Sequence, residues 1–263
     1  MPAFAANLTM LYTELDFLDR FAAARADGFE GVEYLFPYAY PVERLAELLR
    51  EHGLAQVLHN LPAGDWAAGE RGIAVRPDRV PEFRHGVGEA IRYATALGCT
   101  RLNCLAGIAP PGADPATLRR SFVDNLRWAA PRLRDAGIRL LIEPVNTFDI
   151  PGFWLAGTRQ ALDVIDEVGS DNLYLQYDLY HAQRMEGELA ATLEAHLPRI
   201  AHLQLADNPG RHEPGTGEIR YPFLFERLDR LGYAGWIGCE YKPRAGTRAG
   251  LGWLHEARKA SKS

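Results

Sequence analysis

Short apolar runs alternating with amphipathic helical segments constrain this chain more than any other feature. The apolar runs fall at 4–7, 31–34, 54–58, 101–104, 140–142, 173–178, 200–204 and 235–240. Between them, helical spacing of apolar residues (Phe17, Leu18, Phe21 and Ala24 are the first set) predicts helices over 15–26, 42–51, 80–97, 115–135, 158–168, 189–196 and 221–231. Six of these helices stop at a glycine just before the next strand: Gly28, Gly53, Gly98, Gly137, Gly169 and Gly232. Glycine takes the left-handed conformation that ends a helix without a β-carbon clash. Eight strands alternating with helices predict an α/β fold, a (β/α)8 TIM barrel, as one domain over 1–263. A doubly wound open sheet is the competing architecture, but no G-x-G-x-x-G follows the first strand.

The connections after strands are long, at 59–78, 105–114, 144–157 and 206–220, whereas the helix-to-strand turns are short. In a barrel the strand-to-helix loops build the active-site face, so the site is expected there. Two strands end alike. Leu140-Leu141-Ile142 runs into Glu143-Pro144, and Trp236-Ile237-Gly238-Cys239 runs into Glu240 with Pro243 close behind. Proline cannot donate to a strand ladder and closes each run. A carboxylate at the tip of a buried strand requires a partner, either a metal ion or half of a structural ion pair.

Strand six ends on Asp178 and strand seven offers Gln204, so four consecutive strands bring Glu143, Asp178, Gln204 and Glu240 to one mouth. Three carboxylates and an amide oxygen suit a divalent metal, Mg2+ or Mn2+, better than a thiophilic ion. A hydrogen-bonded polar layer without metal is the alternative. Two glutamates facing a small cavity suit proton abstraction beside a carbonyl, one carboxylate taking the proton and the other returning it to the neighbouring carbon. Glycoside hydrolysis also uses two carboxylates, and Phe153, Trp154, Tyr177 and Tyr180 keep it open. Arg71, in the glycine-rich loop after strand three, is the candidate clamp for a substrate carboxylate. His59, His181 and Lys242 are candidates for substrate oxygens, and Arg211 or His212 for covering the site from the loop after strand seven.

Hydrophobic residues make up 47% and charged residues 24%, an ordinary globular balance. A net charge of -5 without a basic block argues against a nucleic-acid or anionic-membrane partner and for a small-molecule substrate. No secretory leader or membrane span is evident, and Cys99, Cys104 and Cys239 form no C-x-x-C pair; a cytoplasmic protein with reduced thiols is expected. A homo-oligomer remains open, since no defined apolar patch can be read.

Several of these stretches also carry a resemblance: Phe4-Ala-Ala-Asn-Leu8, 31–38, the 59–72 loop His-Asn-Leu-Pro-Ala-Gly-Asp-Trp-Ala-Ala-Gly-Glu-Arg-Gly, Ile142-Glu-Pro-Val-Asn146, Asp149-Ile-Pro-Gly-Phe153, His212-Glu-Pro-Gly-Thr-Gly-Glu-Ile219 and Gly238-Cys-Glu-Tyr-Lys-Pro243. Together they resemble the hydroxypyruvate isomerase family, among the xylose-isomerase-like barrels, over nearly the whole chain. The resemblance implies an aldose–ketose isomerase (an intramolecular oxidoreductase) interconverting hydroxypyruvate and tartronate semialdehyde, in glyoxylate or glycerate metabolism. It also implies Glu143 and Glu240 as proton donor and acceptor. Related epimerases hold a divalent ion through Glu, Asp, His and Glu, and Gln204 stands where they have His. A 2-oxo-tetronate isomerase, a ketose 3-epimerase and a non-catalytic sugar-acid binding protein are the other readings on this barrel. The related barrel-type endonucleases need several strand-end histidines, which are not placed here.

Overall fold

Apolar strands flanked by helices on every side have two faces to bury, and closing the sheet on itself buries both. A computed structural model, describing residues 2–260, has eight parallel strands in a closed barrel in chain order: β1 Ala3–Asn7, β2 Gly31–Glu33, β3 Ala55–Asn60, β4 Arg101–Cys104, β5 Arg139–Ile142, β6 Leu173–Asp178, β7 Ile200–Leu205 and β8 Trp236–Cys239. Strand β8 pairs back onto β1, with Ala5 opposite Gly238. Around them run α1 Arg20–Ala26, α2 Val42–His52, α3 Val80–Leu97, α4 Pro115–Asp135, α5 Thr158–Val168, α6 Leu179–Met185, α7 Leu189–His196, α8 Tyr221–Arg230 and α9 Gly252–Ala260.

The six helix-ending glycines all have positive φ, between 59° and 84°. Four expectations differ from the structure. The first helix begins later than expected, as a 3-10 turn over Phe17–Asp19 that leads into α1, and Leu15 lies exposed before it. Strand β3 reaches Asn60, two residues further than the apolar run 54–58, since His59 and Asn60 pair with Leu102 and Asn103. Helix α6 follows β6 without a loop: the Asp178 carboxylate accepts from the Tyr180 backbone N–H at 2.8 Å and caps it. Helix α9 was not expected, and its Trp253 packs edge-on against Phe4 at 5.3 Å.

The core is split by the strand ladder. Outside, strand residues pack on helix faces such as Leu126, Ala129 and Leu133 of α4. Inside, Ala5, Val57, Leu58, Leu141 and Ala201, with Tyr174 and Trp236, form an apolar plug. Nearer the C-terminal ends of the strands, Glu33, Asn103, Gln176, His202 and Gln204 are buried, forming a polar floor. The loops after β3 and β4 meet at two glycines. A β-carbon on Gly72 (φ 120°) would lie 2.4 Å from the Leu105 carbonyl oxygen. Gly72→Ala is therefore expected to lower stability by about 1–3 kcal/mol, read as a drop in Tm of roughly 2–4 °C per kcal/mol. An unchanged melting curve would contradict the contact.

Candidate active site

Both strand-end glutamates face one cavity. It has a volume of about 440 Å³, and Glu143, Glu240, Gln204, His181, Arg71, Arg211 and Lys242 are among its lining residues. Glu143 follows β5 directly, and its Oε2 accepts from Asn103 Nδ2 at 2.9 Å; the same amide donates to Asn60 Oδ1 at 3.1 Å. Glu240 follows β8, and its two oxygens accept from Arg211 Nη2 at 2.8 Å and from the Gln204 amide. Asp178 ends β6. One oxygen caps α6, and the other, Oδ2, is buried without a hydrogen-bond partner, 3.6 Å from His181 Nε2. Glu143, Asp178 and His181 each offer a ligand atom within 4.8 Å of the others, so these three could hold an ion. An orphaned buried carboxylate oxygen is costly, and an ion is one means of satisfying it.

Burial dominates the electrostatics. It raises the Glu143 carboxyl well above the usual range, with Glu240 and Asp178 adding like-charge repulsion. It lifts Glu240 to about 8 although Arg211 pulls the other way, and Asp178 to about 6 against Arg211 and two backbone N–H groups. His181 is pushed well below its ordinary value by burial and by Arg211 and Arg184, so its ring is neutral. Its Nδ1 accepts from the Asn146 backbone N–H at 3.3 Å, which leaves the proton on Nε2, facing Asp178.

Arg71 sits at the cavity wall with Nη1 on the Trp66 and Glu70 carbonyls, at 3.0 and 2.7 Å, and stacks on the Trp66 ring at 4.1 Å. Lys242 lines the rim, and its backbone N–H donates to the Arg211 carbonyl at 2.7 Å. His59 is not brought to the cavity. It is fully buried beside Tyr38, and burial lowers its ring to about 3. Strand alternation explains this: Leu58 and Asn60 line the cavity, so His59 between them points outward. Gln204 lies at the cavity, but its oxygen accepts from Gln176 Nε2 at 2.6 Å and its nitrogen faces Glu240 and Glu33. Sequence reasoning missed Asn103, Asn60, Gln176, Asp149, Glu33 and His202. The inward alternation of Asn103 and Gln176 in short buried strands was the available signal; Asp149 stands in a loop and had none.

Sequence and fold comparisons agree on what carries this geometry. The profile of the xylose isomerase-like TIM barrel family matches residues 21–257. Over 254 residues the chain is 57% identical to hydroxypyruvate isomerase of Escherichia coli (strain K12), spanning 97% of this chain and 98% of that one. The chain belongs to the hydroxypyruvate isomerase family. Another relative, 2-oxo-tetronate isomerase of Cupriavidus necator, is 51% identical, again over 97% of this chain and 98% of the relative. The crystal structure of a Brucella melitensis protein named as a family 2 AP endonuclease matches with a TM-score of 0.95 at 45% identity, over 97% of this chain and 99% of that one.

In this member of the hydroxypyruvate isomerase family, the raised carboxyls make stability depend on pH. Folded Glu143, Asp178 and Glu240 keep protons that the unfolded chain releases near pH 4. Their stabilisation is complete below that range and is lost as pH rises through about 6 for Asp178 and about 8 for Glu240. In chelator, Tm is expected to fall between about pH 5 and pH 8.5. A Tm that climbs across that window would contradict the arrangement.

Proposed function

We propose that this chain interconverts hydroxypyruvate and 2-hydroxy-3-oxopropanoate (tartronate semialdehyde) by proton transfer through an enediolate. The observation that carries this reading is the pair Glu143 and Glu240 facing one cavity from β5 and β8. The 57% identity to the E. coli hydroxypyruvate isomerase supports the substrate. One carboxylate takes a proton from the hydroxymethyl carbon, leaving an enediolate across C2 and C3. The other carboxylate delivers a proton to C2, while the hydroxyl proton passes from the C3 oxygen to the C2 oxygen. Atoms balance without an added reactant. Neutral His181, with its proton on Nε2, is suited to donate to a substrate oxygen. Arg71, stacked on Trp66, is suited to bind the substrate carboxylate through two parallel hydrogen bonds, and Arg211 and Lys242 also line the cavity.

The orphaned Asp178 oxygen and the converging carboxylates fit a divalent cation, Mg2+ or Mn2+, which Glu143 and Asp178 would hold with Glu240 or His181 beside them; Gln204 would join only if its amide turned over, since its oxygen accepts from Gln176. Such an ion, when bound, would supply Lewis-acid stabilisation of negative charge on substrate oxygens. The three cysteines are free and buried, which supports a reducing, cytoplasmic setting. Among the described residues no helix is long and apolar enough to cross a membrane.

A second reading, isomerisation of the one-carbon-longer 2-oxo-tetronate, is supported by the 51% identity to the C. necator enzyme and by a cavity roomier than a three-carbon acid needs. One methylene-sized difference is worth only about 1–3 kcal/mol, so kcat/KM on both acids decides between them. The endonuclease name of the Brucella protein finds less support. Among the described residues, one group of three metal-type side chains is close enough to hold an ion, and the net charge is -5.

Proton NMR of hydroxypyruvate with the protein in D2O is expected to show tartronate semialdehyde carrying deuterium at C2, and chelator is expected to abolish turnover. Absence of product and of exchange under all conditions would remove this substrate. Glu143→Gln and Glu240→Gln are each expected to lower kcat by roughly 10²–10⁴-fold with the circular dichroism unchanged. Full activity in either variant would sink the two-base scheme. Arg71→Ala is expected to act mainly on KM, raising it about tenfold or more, for a lost charge-assisted bond of about 1.5–3 kcal/mol; a fall confined to kcat would contradict the clamp.

A further inference from the structure

A buried side chain outside the cavity contacts one that lines it. Asn146, in the loop after β5, is fully buried. Its Oδ1 accepts from the Asp149 backbone N–H at 2.8 Å, and its Nδ2 donates to Asp149 Oδ2 at 3.1 Å. Those two contacts settle which way the amide faces. Turned over, it would set NH2 against N–H and oxygen against carboxylate. The Asp149 carboxylate is itself fixed, since Tyr180 donates to the same oxygen at 2.9 Å. Asn146 Nδ2 also stands 2.6 Å from His181 Nδ1, and the Asn146 backbone N–H meets that nitrogen at 3.3 Å. Both groups only donate, so Nδ1 carries the lone pair and Nε2 the proton of the neutral ring. His181 lines the cavity from α6, with Nε2 3.6 Å from the orphaned Asp178 Oδ2.

We propose that Asn146 is the positioning residue that fixes the His181 tautomer, making the ring a donor from Nε2 to a substrate oxygen and keeping it off the cation. A ring nitrogen that bears a proton has no lone pair left for a metal. Of the two side chains placed beside Glu143 and Asp178, this leaves Glu240 to the ion and gives His181 to the substrate. The inference deepens the isomerase reading above and rests on it for the donor's role, whereas the tautomer follows from the hydrogen bonds alone.

The test is nitrogen-15 NMR of the full chain labelled on histidine, in chelator, with His181→Ala used to assign the His181 ring. Wild type is expected to show Nε2 protonated and Nδ1 bare. Asn146→Asp keeps the acceptor for Asp149 but replaces the donor that faces His181 by an oxygen. It is expected to draw the ring proton toward Nδ1 and, with metal restored, to lower kcat on hydroxypyruvate roughly tenfold or more. Asn146→Ala leaves only the longer backbone contact, and a mixture of tautomers with an intermediate kcat is expected; it also serves if Asn146→Asp does not fold. A purely structural Asn146 would shift Tm and leave the ring spectrum alone, which overturns the proposal, as does a protonated Nδ1 in wild type. Mn2+ affinity, followed by electron paramagnetic resonance, is expected to be unchanged in His181→Ala. Binding weakened roughly tenfold or more would make the ring a ligand and overturn the proposal. No turnover of hydroxypyruvate by wild type, beside the expected spectra, sinks the substrate reading and leaves Asn146 as the residue that sets the tautomer.

Discussion

Three carboxylates crowded at the mouth of a low-dielectric barrel are the constraint from which the rest of the site follows. Glu143 and Asp178 are almost wholly buried, Glu240 nearly so, and Glu33 lies below them. Like charges at such separations repel strongly where water is scarce. The surrounding side chains answer this with neutral donors. Asn103 serves Glu143, Gln204 serves both Glu240 and Glu33, and Asn7 serves Glu33. Amides satisfy lone pairs without adding a cation that would compete with a metal ion or with substrate. The apolar plug underneath keeps water out of the lower barrel, so the repulsion stays strong and the carboxyls remain raised.

Arg211, the guanidinium in contact with Glu240, comes from a loop, and the loop is built to hold it. The Asp207 carboxylate accepts backbone N–H groups of Asn208, Gly215, Thr216, Gly217 and Ile219, between 2.8 and 3.0 Å. That ties both ends of the segment to the tip of β7. Arg211 itself has φ 54°, a left-handed conformation that is uncommon for a side-chain-bearing residue. Its carbonyl accepts from the Lys242 N–H, and the His212 ring meets the Lys242 carbonyl at 2.7 Å. Asp149, from the loop after β5, stands 3.8 Å from the other side of the guanidinium and is held by Asn146 and Tyr180. The carboxylates thus sit at the tips of strands, and the cation that moderates them sits on loops anchored to those strands.

The same division explains what could be read from sequence. Strands β4 and β6 and helices α3, α4, α5 and α7 begin and end where periodicity and glycine predict, because those signals are local. Glu143, Asp178, Gln204 and Glu240 were legible because each stands at a strand tip, where barrel topology alone brings them to one mouth. Helix α6 was hidden since it is capped by Asp178, a residue already read as a site carboxylate. His59 misled because the strand runs two residues beyond its apolar stretch, which places it within the ladder facing the helices and not in the loop at the mouth. Glu33 and His202 meet across 169 positions at 2.7 Å, and no periodicity encodes such a pair.

The two glutamates are not equivalent, and the difference bears on the roles that the proposed two-base scheme gives them. Glu143 is held by a neutral amide and repelled by both neighbouring carboxylates, so its protonated form is favoured. Glu240 shares the burial but touches Arg211, which moderates the same shift. Burial raises both carboxyls, and the direct Arg211 contact is what sets Glu240 apart. On the proposed scheme, starting from the ketone, the guanidinium contact makes Glu240 the better candidate for the group that takes the proton from the hydroxymethyl carbon, with Glu143 supplying one to C2. In the reverse direction the roles exchange, because each carboxyl finishes in the protonation state from which the other direction starts. Arg211 then acts as more than a counter-ion. On that scheme, its hydrogen bond to Glu240 and not to Glu143 distinguishes two groups that strand geometry alone would leave alike.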